Sequence, residues 1–364
     1  MLSGTGVMAK VAGSSLRWAS ETGGAAQVSG AAGRSEGETP QASGRDTNRG
    51  TEPMRVLVVT NMYPSGASPA LGTFVRDQVD SLRAKGVRVD VLFVNGPERT
   101  LNYLTGILRY VWRMLRHGRE YDLVHAHYVF SGLIARLQWS LPVILTHHGI
   151  EVVWGWQGPL SRWVSRWVDR VVVTSRAVAD SLGQTGATII PCGIDLDLFR
   201  PMPQGEARSR LGLDPGGRYV VYAGRTGPEK RLEIIEEAVA RLQVNDPGIR
   251  LLLLTKKAHR VVPLYLNAAD VLVLASDFEG SPMVVKEAMA CNLPVVSTDV
   301  GDVADVIGET EGCYLCRQTP EDVADKLALA LSFGRRTEGR AAVKQLSLPA
   351  IADRIIEVYR EVLA

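Results

Sequence analysis

Apolar and polar positions along the chain change rhythm near residue 54. Residues 1–53 are rich in Gly, Ala, Ser, Thr and charge and show almost no apolar periodicity, so they are expected to form a disordered extension with no core. The stretch before Glu21 holds Lys10 and Arg17 but no acid, as organelle transit peptides do. Met54, directly before "RVLVVT", is the simpler expected start of the folded chain.

From residue 55 short apolar runs alternate with stretches of helical period. "RVLVVT" (55–60) predicts a buried strand, and Val75, Val79 and Leu82 mark one face of a helix from about Gly72 to Gly86. "VRVDVLFV" (87–94) predicts the next strand, followed by a helix around 101–117 and apolar strands near 122–126, 142–146 and 171–174. The segment "PCGIDLDLFRPMPQGE" (191–206), dense in Pro, Gly and Asp, predicts an interdomain linker. Alternation then resumes, with strands at 218–224, 249–255, 270–276 and 293–298. A helix is predicted over Glu229–Leu242 with Leu232, Ile235, Val239 and Leu242 inward, and two more near 320–333 and 347–363. The pattern predicts two α/β halves in tandem, each a parallel sheet covered on both faces. Ligands of such sheets gather at the carboxyl ends of the strands, here facing a cleft between the halves.

A chain of 364 residues is long enough for two domains, and 46% hydrophobic with 22% charged residues reads as globular. The net charge of +2 argues against a nucleic-acid partner, which demands a strong basic excess. No apolar run approaches the roughly 18 residues of a membrane-spanning helix, and the N-terminus lacks the apolar region of a secretory signal. Cys192, Cys291, Cys313 and Cys316 do not make a disulfide framework, so a reducing compartment is expected. Cys313 and Cys316 form a CxxC, but no second pair completes a zinc set, and ordinary thiols are expected.

The stretch "DFEGSPMVVKEAMA" (277–290) carries two carboxylates at a strand end, Glu279 and Glu287. Ser281 and Pro282 predict a helix N-cap and first helical residue. Even with every intervening residue helical, the carboxylates would stand about 80° and about 12 Å apart. A glycosidase pair is set roughly 5–9.5 Å apart, so a facing acid and base are excluded. What the turn offers is a helix N-terminus, suited to a phosphate or sugar hydroxyls. On this stretch alone a capped helix with surface glutamates is the slightly better account. Upstream, "YAGRTGPEKR" (222–231) sets Arg225 just past a strand and Lys230 at the next helix opening, a candidate diphosphate clamp. Taken together, clamp and turn describe a sugar nucleotide.

In this order the motifs resemble those of the GT-B glycosyltransferases of retaining family 4, the group 1 glycosyltransferases. The residues that carry the resemblance are "GRTGPEK", "EGSPMVVKE", "AMACNLPVVS", "PCGIDLDLF", "DLVHAHYVFSGL" (122–133) and "THHGIE" (146–151). The resemblance covers residue 55 to the C-terminus. It implies an acceptor-binding Rossmann-like domain over 54–200 and a nucleotide-sugar-binding one over 201–345. It also implies a C-terminal helix, 346–364, packing back on the first domain. The implied activity is transfer of a sugar, with a hexose expected, from a nucleotide-sugar donor to an acceptor hydroxyl with retention, in cell-envelope polysaccharide or glycolipid assembly. A sugar-nucleotide epimerase of the same fold, or a non-catalytic nucleotide-sugar-binding protein, are the alternatives.

Carried over by residue, Arg225 and Lys230 would hold the diphosphate and Glu287 the ribose. Glu279, with the amides around Ser281, Met283 and Val284, would orient the donor sugar. Gly72 would let backbone approach donor and acceptor, His127 would face the cleft as a catalytic group together with Glu279, and His148 would belong with Gly72 to the acceptor and donor loop. No cofactor and no metal are expected, and the partners are the donor and a sugar or lipid-linked acceptor. The expected location is cytoplasmic, at the inner face of the membrane. Pro282, Asn292 and Cys192 depart from the family's usual residues. The chain is also short between 255 and 265, where a loop often lines the base pocket.

Four further signals have two readings each. "DLD" (195–197) mimics a metal-binding motif but lies in a linker, and His125, His127, His147 and His148 lack a carboxylate to complete a metal site. Leu104, Leu108, Val111 and Leu115 share a helical face beside Arg109, Arg113 and Arg116. That face is expected to cover the core, peripheral membrane contact being the other reading. Trp154, Trp156, Trp163 and Trp167 fit a sugar-stacking or interfacial role and a core role equally.

Overall fold

In a computed structural model, which describes residues 52–364 apart from Ala67, Pro69, Ala70, Pro97, Trp154, Lys256 and the side chain of Ile150, the first half alternates strands and helices. The expected disordered extension falls outside the described residues but for its last two positions. The elements are β1 (Arg55–Thr60), α1 (Thr73–Ala84), β2 (Arg88–Phe93), α2 (Leu101–His117), β3 (Leu123–His127), α3 (Val129–Ala135), β4 (Val143–His147), α4 (Ile150–Val153), α5 (Gln157–Ser165), β5 (Arg170–Val173), α6 (Arg176–Leu182) and β6 (Thr188–Ile189). The strands form one parallel sheet in the order β2-β1-β3-β4-β5-β6. In β1, Val56 and Val58 join the cluster of Val75, Val79 and Leu82, whereas Leu57 and Val59 join that of Tyr110 and Val124. Both faces of the strand are thus buried, which is why its sequence is an unbroken apolar run.

The second half consists of α7 (Gln204–Leu211), β7 (Arg218–Ala223), α8 (Leu232–Asn245), β8 (Ile249–Leu254), α9 (Val262–Ala268), β9 (Val271–Leu274), α10 (Met283–Ala290), β10 (Val295–Thr298), α11 (Val303–Ile307), β11 (Tyr314–Cys316), α12 (Pro320–Phe333), α13 (Gly339–Ala342) and α14 (Leu348–Leu363). Its sheet is parallel, in the order β11-β10-β9-β7-β8. Strand order reverses direction at β1/β3 in one sheet and at β7/β9 in the other, and these switch points open the crevices where α/β ligands bind. The chain crosses between the sheets twice, side by side: Ile194 and Ser347 bridge, and Arg340 donates to the carbonyls of Leu196, Phe199 and Ala290. After the second crossing α14 lies against α1, and Tyr359 meets His125 beneath the first sheet, 2.7 Å from its Nδ1.

Several local expectations are corrected. The helix expected from Glu229 begins at Leu232, because Pro228–Lys230 form one tight turn and Arg231 takes a left-handed conformation (φ 49°). That reversal turns the Lys230 side chain inward. Ser281 does not cap α10. Pro282 stands at the cap position (φ −67°, ψ 109°), and Ser281 Oγ is engaged by Lys286 and Asp302 instead. On α2 the face toward the core is Tyr103, Gly106, Ile107, Tyr110 and Met114, and the Leu104–Leu115 face points outward. Strands β6 and β11, of 2 and 3 residues, are too short to leave a period in the sequence.

Candidate functional site

The donor side is built on the carboxyl ends of β7 and β9. Beyond β7, the Tyr222 hydroxyl donates to the Arg225 carbonyl at 2.6 Å, which fixes the loop while the guanidinium extends to the cleft. The Arg225 guanidinium forms no ion pair among the described residues. Beyond β9, Glu279 Oε1 accepts from Lys230 Nζ at 2.5 Å and from Ser276 Oγ at 2.8 Å. Lys230 and Glu279 are largely buried, at 11% and 17% side-chain exposure, so their attraction is little screened by water. Arg225 and Lys230 converge here on Glu279, and Glu229 lines the same cleft, so two cations meet two carboxylates at this sheet edge.

The first amides of α10, Met283 and Val284, border the cleft in positions where a helix leaves N–H groups unpaired. Pro282 precedes them, so its missing N–H falls outside the helical donors. Further along, Glu287 is buried and its Oε1 lies 2.9 Å from His259 Nε2. This bond raises the His259 pKa against the opposing effect of burial. His259 is a site residue that the sequence reading missed, since nothing in a loop position 28 residues from Glu287 signals the pairing.

The acceptor side comes from the ends of β1, β3 and β4. Gly72 sits in the left-handed region (φ +66°) ahead of α1, and a Cβ there would lie 2.4 Å from the Met62 carbonyl. That close approach explains why the position is glycine. His148 lines the cleft, but His127 does not. His127 is fully buried one layer behind, its Nδ1 3.0 Å from His148 Nε2 and its ring stacked on His125 at 4.4 Å. The expectation that His127 faces the cleft is therefore corrected: alternation along β3 turns it inward, and the cleft wall is His148. Burial holds His127 neutral with its pKa lowered to about 3, and burial with its neighbours His127 and His147 also lowers His148. Both imidazoles are neutral, hydrogen-bonding groups.

Two adjoining cavities result. One, of about 450 Å³, lies between the halves, where Gly72 and His148 face Arg225, Lys230, Glu279 and Ser281. The other, of about 590 Å³, runs along the second sheet past Gly224, Thr255, His259, Val284 and Glu287. Arg225, Lys230, Glu279 and Met283 line both, so the clamp stands at their junction. Each volume is that of a small-molecule site. The two halves touch through backbone: a Cβ on Gly280 would lie 1.6 Å from the His148 carbonyl oxygen, and one on Gly149 2.7 Å from the Gly280 Cα.

The remaining signals take structural roles. Asp195 of "DLD" accepts from the amides of Asp197 and Leu198 at 2.9 Å, closing a turn. Cys313 and Cys316 are free thiols that burial raises to about 11 and about 12. No group of three metal-ligating side chains is found among the described residues. Trp156, Trp163 and Trp167 are exposed rather than core, and Trp154 lies outside the described residues.

Comparisons with known proteins bear on this site. Residues 55–198 match the model of "Glycosyltransferase Family 4", and residues 254–332 that of "Glycosyl transferases group 1"; together they cover more than half the chain. The chain is 27% identical to the putative teichuronic acid biosynthesis glycosyltransferase TuaC of Bacillus subtilis, over 84% of this chain and 94% of that protein. Among solved structures it resembles the sucrose-phosphate synthase of Thermosynechococcus elongatus (TM-score 0.71, 21% identity, 85% of this chain and 99% of the other). It also resembles Anabaena HepE in complex with UDP-glucose (TM-score 0.62, 18% identity, 85% and 100%). These two likenesses establish the two-domain GT-B fold.

Proposed function

Because the chain belongs to the group 1 glycosyltransferases, we propose that its junction of cavities binds a nucleotide-sugar donor and transfers the sugar, with retention, to an acceptor hydroxyl entering beside His148. The observation that carries this reading is the convergence of Arg225, Lys230 and Glu279 where both cavities meet. The diphosphate belongs at that junction, the nucleoside beside Glu287 and His259, and the donor sugar toward Glu279 and the amides of Met283 and Val284. During transfer the bond from anomeric carbon to diphosphate breaks, the acceptor oxygen takes its place, and the acceptor's proton passes to the departing phosphate oxygen. Charge then collects on the departing diphosphate, where Arg225 and Lys230 stand preorganised to receive it. Neutral His148, its Nε2 held by His127, borders the sugar without placing a competing positive charge there. The two cations supply the charge that a divalent metal would otherwise bring, so we propose a metal-independent reaction.

A UDP-sugar, as held by HepE, is the first donor to test. TuaC's assignment to teichuronic acid biosynthesis directs the acceptor search to cell-envelope polysaccharide and its lipid-linked precursors, met on the cytoplasmic side. The test is to measure binding and hydrolysis of UDP-, GDP- and ADP-sugars by the full chain. Arg225→Ala removes a charged contact worth about 1.5–3 kcal/mol and should weaken donor binding roughly 10- to 150-fold. Glu287→Ala should weaken free nucleotide and nucleotide sugar equally. Wild-type binding by both variants, or no nucleotide sugar bound by the parent chain, overturns the reading.

A further inference from the structure

Helix α2 is apolar on two sides. One side is spent on the core, and the other presents Leu104 (60% exposed), Leu108 (69%), Trp112 (58%) and Leu115 (85%) to solvent. A surface helix normally turns charged residues outward, so a second apolar ridge along about three turns calls for a partner. The ridge continues sideways. Beneath the ridge the half-buried Tyr103 ring lies 5.1 Å from half-buried Phe130 in α3, and Phe130 lies 5.7 Å from exposed Trp156 at the start of α5. Past the ends of the same helices, Trp163 of α5 meets Trp167 at 5.6 Å, and Trp167 meets Trp139 at 6.0 Å. All four of these indoles are at least 46% exposed.

The charge around this face has one sign in excess. Residues 98–120 hold five arginines against two glutamates. At about 100° per residue, Arg109, Arg113 and Arg116 run along one flank of α2, next to the Leu/Trp ridge. Arg116 lies 5.7 Å from the Trp112 ring, and Arg136 4.9 Å from the Trp139 ring. Apolar side chains that can enter acyl chains, indoles that settle at the headgroup level and a basic flank are what an anionic bilayer surface receives. A two-fold contact between copies of the chain would instead set the arginine flank against itself. No described helix is long and apolar enough to cross a membrane, so the contact is lateral.

We propose that the α2–α3–α5 face docks the protein on an anionic lipid bilayer. The face also lies near the site: Tyr128, in the cavity wall, and Phe130, in the face, are two residues apart. Docking there would bring the acceptor side of the cleft to the membrane, where a lipid-linked acceptor is held. Only that last consequence rests on the proposed function; the docking rests on the surface.

The test is flotation of the full chain with phosphatidylcholine vesicles and with vesicles enriched in phosphatidylglycerol, at low salt and at ~0.5 M NaCl. The parent chain should bind the anionic vesicles at least about tenfold more tightly, each arginine at the surface contributing about 1 kcal/mol, and the preference should shrink in high salt. Leu104→Glu with Leu108→Glu should abolish flotation. Arg109→Glu with Arg113→Glu and Arg116→Glu should remove the anionic preference. Leu104, Leu108, Arg109 and Arg116 are exposed and Arg113 is half-buried near Asp90, all away from the cavities, so UDP-sugar binding and hydrolysis, measured in parallel, should match the parent; failure of the donor assay alone leaves the docking result readable. No flotation by the parent, or flotation unchanged in both variants, overturns the proposal. A lipid-independent dimer that Leu104→Glu dissociates overturns it too, by assigning the face to a second copy.

Discussion

Lys286 is fully buried in α10 and its ammonium lies 2.8 Å from Asp302, itself 4% exposed. It also donates to the Cys192 carbonyl at 3.1 Å and to Ser281 Oγ, so one ammonium ties the linker, the cavity turn and the β10–α11 loop together. Replacing Lys286 with Met keeps most of the volume and removes the charge. Asp302 is then left buried, with Oδ1 already lacking a partner. Stranding a buried carboxylate in this way costs about 3–5 kcal/mol. At roughly 2–4 °C per kcal/mol for a cooperative unit of this size, Lys286→Met should lower the melting temperature by about 6–20 °C. Adding Asp302→Asn removes the stranded charge and should restore most of the loss. Differential scanning calorimetry of parent, single and double variants reads both steps, and donor hydrolysis should fall in the single variant as Ser281 loses one of its two side-chain tethers. A single variant melting within about 2 °C of the parent, or a double variant no better than the single, would refute the account of the network.

Glu287→Gln should lower the His259 pKa, followed by the imidazole resonances in NMR, because burial then acts without the bond that opposes it. A raised pKa means that the protonated pair stabilises the fold fully below the ordinary histidine value, about 6.5, and loses that contribution as pH rises through the folded value. The parent should therefore lose stability across that window relative to Glu287→Gln; parallel pH profiles would sink this. Gly280→Ala must displace the His148 carbonyl oxygen, only 1.6 Å from the new Cβ, so the two halves should part. Transfer should collapse while free nucleotide binding stays within a few-fold, and small-angle scattering should show a larger radius of gyration; wild-type turnover would contradict the contact.

Much of this molecule is legible in one dimension because periodicity and short motifs are local. Strands such as 55–60 are buried on both faces and so read as unbroken apolar runs, and the Gly-Arg and E-x7-E motifs lie in sequence where strands end. The face of α2 was not legible. Its two apolar stripes both satisfy helical spacing, and only the packing of Tyr103, Ile107 and Tyr110 into the core decides that Leu104 and Leu108 point out. The histidines behave similarly: alternation along β3 places His125 and His127 together, but which ring reaches the cleft depends on the neighbouring end of β4.

By itself the sequence determined the two α/β halves, the linker, and the residue types able to hold a diphosphate and a sugar, since each follows from spacing within some twenty residues. The tertiary structure alone decided the pairings across long separations. It brought Lys230 to Glu279 and His259 to Glu287, joined Lys286 to Asp302 across the turn, and set His148 in the cleft wall with His127 behind it. The physical reason is that such partners meet only when two sheets fold their carboxyl edges toward one cleft, and no local preference of the chain encodes that distance.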